Sequence, residues 1–293
     1  MRINDYDFKM VEQGRGETLI FVHGSVSDYR TWIQQQDFFS KFFHTIIYSR
    51  RFHWPNAQIS ESEDYAMYQH VDDLAGLIRR QNKTVHLVGH SYGGFICLLL
   101  AMKSPELIKT LVLSEPPVIT LFVSNHPKPL EIFTLLLSRP RTALALIKLG
   151  RKGMMPAQKE MERDNIEKAI ELFGKATLGS AYYKNLSESR MDEIFDNFIK
   201  SEFLGSGFPL LSDRVIQKIN KPTLLVLGQN SPKIFLYLQK RLSELIPYAE
   251  LEIVKDSSHI SHEDNPLGFC KTVVSFIRKN TPRQKVESDL VKV

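Results

Sequence analysis

The chain has 293 residues, with 38 Lys+Arg against 33 Asp+Glu, 43% hydrophobic and 24% charged side chains. This is ordinary globular usage with length for one large core and an inserted subdomain, which excludes a disordered or fibrous protein. Two cysteines, Cys97 and Cys270, exclude a disulfide scaffold and lack metal-like spacing, and a net charge of +5 is no nucleic-acid signature.

Met1 to Asp7 lacks the apolar core of a secretory signal, and no apolar run reaches the ~18–20 residues that span a bilayer. The most apolar stretch, residues 130–149, is interrupted by Glu131, Arg139, Pro140, Arg141 and Lys148. The expectation is a cytoplasmic protein with buried, reduced thiols, no integral membrane segment, no nucleic-acid partner and no metal. A homodimer is left open.

Short apolar runs at residues 18–22, 45–48, 85–88, 110–113, 223–227 and 251–254 read as strands. Near-continuous apolar runs, rather than strict alternation, mark strands buried on both faces. Helices are expected between them: residues 64–80, with Tyr65, Tyr68, Val71, Leu74, Leu77 and Ile78 on one face, then 92–102 and 231–245. Strands alternating with helices predict an α/β fold with a mostly parallel sheet.

The alternation stops at residues 119–205, where helical patterns run at 130–137, 142–149, 157–173, 181–187 and 191–203. The chain therefore divides into residues 1–118 and 206–282, which form the core, an all-helical insertion at 119–205, and a polar tail at 283–293. Ten Lys/Arg against six Asp/Glu between His126 and Lys175 concentrate basic charge on the insertion. Five of these cations and no acid fall between Arg139 and Lys152, which reads either as an attractor for anionic substrates or lipid headgroups or as a solvated face.

The stretch Val85-His86-Leu87-Val88-Gly89-His90-Ser91-Tyr92-Gly93-Gly94 carries the chemistry. It is a strand, then G-x-S-x-G, then an apolar helix. A serine on a sharp strand-to-helix turn needs small residues two before and two after it, and Gly89 and Gly93 fill those places. The following helix N-terminus offers backbone N–H groups and a positive dipole end to a developing oxyanion. Ser91 is the candidate nucleophile.

With this motif the chain resembles the α/β-hydrolase fold family over nearly its whole length. The resemblance implies an eight-stranded, mostly parallel sheet flanked by helices, with the helical cap inserted after the sixth strand. Phe21-Val22-His23-Gly24-Ser25 matches the family's strand–HG–x turn. It implies an oxyanion hole built from the Ser25 and Tyr92 N–H groups. Asp256-Ser257-Ser258-His259-Ile260-Ser261-His262-Glu263 resembles the family's histidine segment, with Ser258 in place of the common glycine. His259 matches the catalytic position. His262 is the alternative, with a loop-packing role as its bland reading.

The acid departs from the pattern. The family's G-x-x-D turn reads Gly228-Gln229-Asn230-Ser231 here, and a serine hydroxyl cannot stabilise an imidazolium as a carboxylate does. Glu115 ends the strand after the nucleophile helix, a position where some hydrolases of this fold carry their acid. The order Ser91, Glu115, His259 keeps the Ser…acid…His sequence. Asp256 and Asp213 are the weaker alternatives.

The resemblance implies a serine hydrolase that cleaves a carboxylic ester or related acyl compound of a small, apolar substrate, without a cofactor. A serine nucleophile disfavours the dehalogenase and epoxide hydrolase chemistry that this fold runs from aspartate. Arg50 and Arg51, near the top of the sheet, are candidates to bind a substrate carboxylate or simply to pair with loop acids. The rival readings are C–C bond hydrolysis or other triad-dependent chemistry, a non-catalytic ligand-binding homologue, and a peripheral membrane lipase.

Overall fold

The computed structural model describes residues 1–60 and 65–281, so the expected tail at 283–293 lies outside the described residues. Two short strands, β1 (Arg2–Ile3) and β2 (Tyr6–Asp7), pair with each other apart from the main sheet. The main sheet comprises β3 (Met10–Gln13), β4 (Thr18–Val22), β5 (His44–Tyr48), β6 (Val85–His90), β7 (Ile108–Ser114), β8 (Thr223–Gly228) and β9 (Ala249–Val254). Their spatial order is β3-β5-β4-β6-β7-β8-β9, and every pairing is parallel except the edge pair β3–β5. The sheet holds seven strands among the described residues where eight are expected, and the strand counted sixth by resemblance is β7.

The six expected apolar runs all become strands; β4, β6 and β8 are buried at every residue, whereas the run in β9 is partly exposed. Among the described residues, helices cover both faces. On one side α1 (Ile33–Phe39) and the terminal helix (Pro266–Asn280) pack Trp32, Phe39, Phe269, Val273 and Ile277 against Phe21, Val88 and Val226. On the other, α2 (Met67–Arg79), α3 (Ser91–Lys103) and the helix at Lys233–Leu245 pack Leu74, Phe95 and Leu238 against Ile20, Leu87 and Leu225. Cys97 and Cys270 are free and buried in these two layers.

Eight α-helices separate β7 from β8: α4 (Pro129–Ser138), α5 (Pro140–Leu149), α6 (Met155–Glu162), α7 (Ile166–Leu178), α8 (Ser180–Lys184), α9 (Glu188–Asp196), α10 (Lys200–Leu204) and α11 (Asp213–Ile216). After β8 come α12 (Lys233–Leu245), α13 (Ser261–Asp264) and α14 (Pro266–Asn280). The single helix expected over 157–173 is two, because Asp164 adopts a left-handed φ of 58° between α6 and α7.

The helical block is tied to the core by polar contacts at α9 and α10. Asn197, fully buried, donates from Nδ2 to Asp28 Oδ2 (2.7 Å) and accepts the Trp54 N–H at Oδ1 (2.9 Å). Arg190 Nε donates to Glu263 Oε2 (2.9 Å), and Arg50 Nη2 donates to Glu202 Oε1 (3.0 Å), both from side chains largely or wholly buried. Ser27 Oγ donates to Glu193 Oε1 (3.3 Å), and Arg190 lies 3.3 Å from the same oxygen.

Burial raises the Glu193 carboxyl to about 7, against the pull of Arg190 and with the push of Asp28 and Glu263. Folded Glu193 therefore holds a proton that the unfolded chain has already released above pH ~4.5, so its contribution is full at acid pH and is lost as pH rises through about 7. Glu193→Gln should flatten the decline in unfolding free energy between about pH 5 and pH 8 by at most about 3 kcal/mol. Urea unfolding of both proteins across that range reads it; parallel profiles would contradict the assignment.

Candidate active site

The site forms where β6 and β7 end. Gly89 is followed by His90, and Ser91 turns the chain into α3 with a left-handed φ of 49°, a conformation a serine holds only when its surroundings enforce it. The enforcement is steric. A Cβ on Gly89 would meet Cys97 Sγ at 2.6 Å, and one on Gly93 would meet the Val22 and His23 carbonyl oxygens at 2.4 Å. The two glycines let α3 start hard against β4 and β6.

Ser91 Oγ lies 3.0 Å from His259 Nε2, and His259 Nδ1 lies 2.6 Å from Glu115 Oε2. The three residues are 168 and 144 positions apart in those pairings, so only the fold brings them together. Nδ1–H donating to the carboxylate leaves Nε2 to accept the Ser91 hydroxyl proton. Glu115 is 1% exposed and also adopts a left-handed φ, 48°, which turns its carboxylate toward β8. There its other oxygen, Oε1, accepts the Gly228 N–H (2.7 Å) and the Ser231 hydroxyl (2.6 Å).

The His259 ring is held on two sides. It stacks on Phe235 at 4.0 Å between centroids, and its carbonyl accepts from His90 Nε2 at 2.9 Å. Burial pushes the His90 pKa well below the ordinary histidine value, with His262 and His259 adding to the shift, so His90 is a neutral donor. The Ser258 that replaces glycine donates from both N and Oγ to Asp264 Oδ2, each at 2.6 Å, and fixes the loop before His259.

The alternatives point elsewhere. His262 is 1% exposed, stacks on Trp32 at 4.2 Å and bonds Thr31 Oγ1 through Nε2 at 3.0 Å. Asp213 pairs with Arg241, and Asp256 is exposed in a turn where its N–H donates to Gln229 Oε1. Neither aspartate shares a hydrogen bond with His259 among the described residues.

Ser25, Ser91 and His259 line one cavity of about 50 Å³, whose remaining walls are chiefly apolar: Val26, Ile170, Phe173, Leu178, Leu186 and Ile194. Tyr92 is the second residue of α3, so its N–H belongs to the first turn, whose amides have no acceptor within the helix. One cation, Arg190, also reaches this cavity.

The arginines expected at the substrate are spoken for by the protein. Arg50 is 1% exposed; it donates to His23 O (3.1 Å), Gly24 O (3.0 Å), Tyr65 Oη (2.8 Å) and Glu202 Oε1, and its guanidinium lies 4.6 Å from the Tyr92 ring centroid. It buttresses the His23–Ser25 turn from behind. Arg51 makes a bidentate contact with Asp73 (2.7 and 2.8 Å) against the Tyr6 ring. Neither lines the Ser91 cavity, so the geometry favours pairing with acids, and Asp73 of α2 and Glu202 of α10 are those acids.

Three contributors escaped the sequence. Glu202 accepts from Arg50 and from Ser25 Oγ (3.1 Å) across 152 and 177 residues, and nothing in its local sequence separates it from other glutamates of the helical block. Arg190 belongs to an unremarkable amphipathic helix. Ser231 could be read as a lost aspartate but not as a donor to Glu115 Oε1.

With this geometry in place, comparison with known proteins gives the family. Residues 17–266 match the alpha/beta hydrolase fold family, and the chain belongs to it. Epoxide hydrolase 3 of Xenopus tropicalis is 23% identical, over 96% of this chain and 77% of its own length. Carboxylesterase YbfK of Bacillus subtilis is 24% identical, over 89% of this chain and 80% of its own. Among solved structures, a thermophilic esterase from Thermogutta terrifontis superposes with a TM-score of 0.68 at 18% identity, covering 94% of both chains. These likenesses support a hydrolase; at such identities they leave the bond cleaved to be argued from the site.

The close approach at Gly93 yields a stability test. Gly93→Ala should destabilise the fold by about 1–3 kcal/mol, because the methyl must displace backbone carbonyls of β4 and the turn beyond it. Gly150→Ala, whose added Cβ meets nothing within 4 Å, should be neutral or slightly stabilising. Chemical denaturation of the pair checks this, and equal stabilities would refute the steric account.

Proposed function

We propose that the protein is a serine hydrolase that cleaves a carboxylic ester, or a related acyl compound, of a small and largely apolar substrate. The observation that carries this reading is the continuous chain from Ser91 Oγ through His259 to Glu115, 3.0 Å and 2.6 Å long at its two links.

His259 Nε2 takes the Ser91 proton as Oγ attacks the substrate carbonyl carbon. The negative charge that develops on the carbonyl oxygen is met by the N–H groups of Ser25 and Tyr92. The imidazolium, stabilised by Glu115, returns its proton to the leaving alcohol, and a water activated by the same histidine releases the acid and restores Ser91. Glu115 also fixes the tautomer, since its Oε2 holds the Nδ1 proton.

The cavity of about 50 Å³ and its apolar walls support a short acyl group. The helices between residues 119 and 205 serve as the cap, since α7 and α9 supply Ile170, Phe173, Arg190 and Ile194 to its wall. A serine at the nucleophile position separates this reading from the epoxide-opening activity named for the Xenopus relative, because an ester intermediate on serine requires an acyl substrate.

Release of p-nitrophenol from acetate and butyrate esters tests the reading. Ser91→Ala should abolish turnover and labelling by a fluorophosphonate probe, and Glu115→Gln should lower kcat by about 10³–10⁴-fold, as loss of an orienting acid does elsewhere. Asp256→Asn should leave kcat within about twofold. Wild-type activity in Glu115→Gln, or probe labelling that survives Ser91→Ala, would sink it.

A further inference from the structure

A groove of about 810 Å³ lies on the far side of α7 from Ser91. Gly174, Thr177 and Leu178 face the Ser91 cavity, while Leu172, Lys175, Ala176 and Gly179 face the groove, so one helix separates the two spaces. The opposite wall is α5, and the floor is the Asn230-Ser231-Pro232-Lys233 turn that opens α12. Its volume lies within the range of small-molecule sites.

The lining pairs two chemistries and lacks a third. Leu144, Leu149, Leu172, Ile234 and Tyr237 supply apolar surface. Arg141, Lys148, Lys152, Lys175 and Lys233 supply cations, and no acidic residue lines the groove. Lys175 is paired with Glu171, but among the described residues the other four form no ion pair. Arg141, Leu144, Lys148 and Lys152 recur at three- and four-residue steps and so form one stripe, partly apolar and mainly basic, along α5 and the turn after it. A merely solvated basic face does not require an apolar cleft beneath it, and an apolar cleft for a neutral ligand does not require four unpaired cations around it.

We propose that this groove binds a single-chain anionic amphiphile, one alkyl or acyl chain carrying a phosphate, sulfate or carboxylate head. The chain lies along Leu144, Leu172, Ile234 and Tyr237, and the head is met by Lys148, Lys152, Arg141 and Lys233. The occupant would touch Ser231, whose hydroxyl holds Glu115 Oε1. The site stands apart from the Ser91 cavity, and its occupancy does not depend on the chemistry proposed there.

Calorimetric titration of full-length Ser91→Ala protein with decyl phosphate below its critical micelle concentration tests the proposal. One equivalent should bind, with decyl maltoside at least tenfold weaker and inorganic phosphate giving no heat over the same range. Lys148→Glu/Lys152→Glu and, separately, Leu144→Glu should each weaken decyl phosphate at least tenfold. All three positions are exposed, so the melting temperature should be unchanged. Wild-type protein capped at Ser91 by a small organophosphonate should bind as Ser91→Ala does. Equal affinity in the variants, equal binding of the maltoside, or competition from the cap at Ser91 would overturn the assignment. Lysine-dependent sedimentation with phosphatidylglycerol vesicles, in place of monomer binding, would overturn it in favour of a lipid surface.

Discussion

Glu115 sits where three pieces of chain meet, and its carboxylate is shared among them. One oxygen holds His259 from the loop after β9, and the other holds the Gly228 amide and the Ser231 hydroxyl after β8, while the residue itself ends β7. A carboxylate with 1% exposure is tolerable only when its lone pairs are filled, and the donors here come from two different strand ends. The hydrogen bonds that keep the charge buried thus also fix the separation of β7, β8 and the histidine loop. A loss of registry among those strands would leave a buried charge short of donors, which the fold resists.

That arrangement explains the serine at the family's aspartate position. Here the carboxylate that meets His259 stands at the end of β7, and Ser231 faces its other oxygen. A second carboxylate there would set a like charge at hydrogen-bonding distance from Glu115 and could not donate to it. A hydroxyl instead donates. Ser231 fills one lone pair of Glu115 and the Gly228 N–H another, and any Cβ at Gly228 would sit 2.1 Å from the Ser258 carbonyl oxygen.

Much of the fold is legible in the sequence because the sheet is buried on both sides. Runs such as Thr18–Val22 and Thr223–Gly228 have no exposed residue to disguise them. The edge strand Met10–Gln13 is half exposed and carries Glu12 and Gln13, so it gives no such signal. Helix α1 is hidden for a different reason: Gln35 and Gln36 lie in its buried face, where their side-chain amides donate to the His262 and Val11 carbonyls. Ser91 and His259 are readable because local backbone constraints leave a local pattern, and Glu115 because an absence elsewhere directs attention to it. Glu202, Arg190 and the acceptors of Arg50 are tertiary facts. The Arg50–Glu202 and Arg190–Glu263 pairs join residues 152 and 73 positions apart, and no periodicity encodes them.

The Arg50–Glu202 pair bears on how freely the helical block can be exchanged. Both side chains are 1% exposed, one on a core loop and the other on α10. Removing one partner of such a buried pair typically costs about 3–5 kcal/mol, because the other charge is stranded out of water. The same guanidinium carries the His23 and Gly24 carbonyls, so the stranded charge would lie directly behind the turn that presents Ser25. The insertion is accordingly no detachable module. A foreign helical block spliced at its two junctions would have to bring its own buried acid to Arg50, in addition to replacing the contacts that Asn197 and Arg190 make with Asp28 and Glu263.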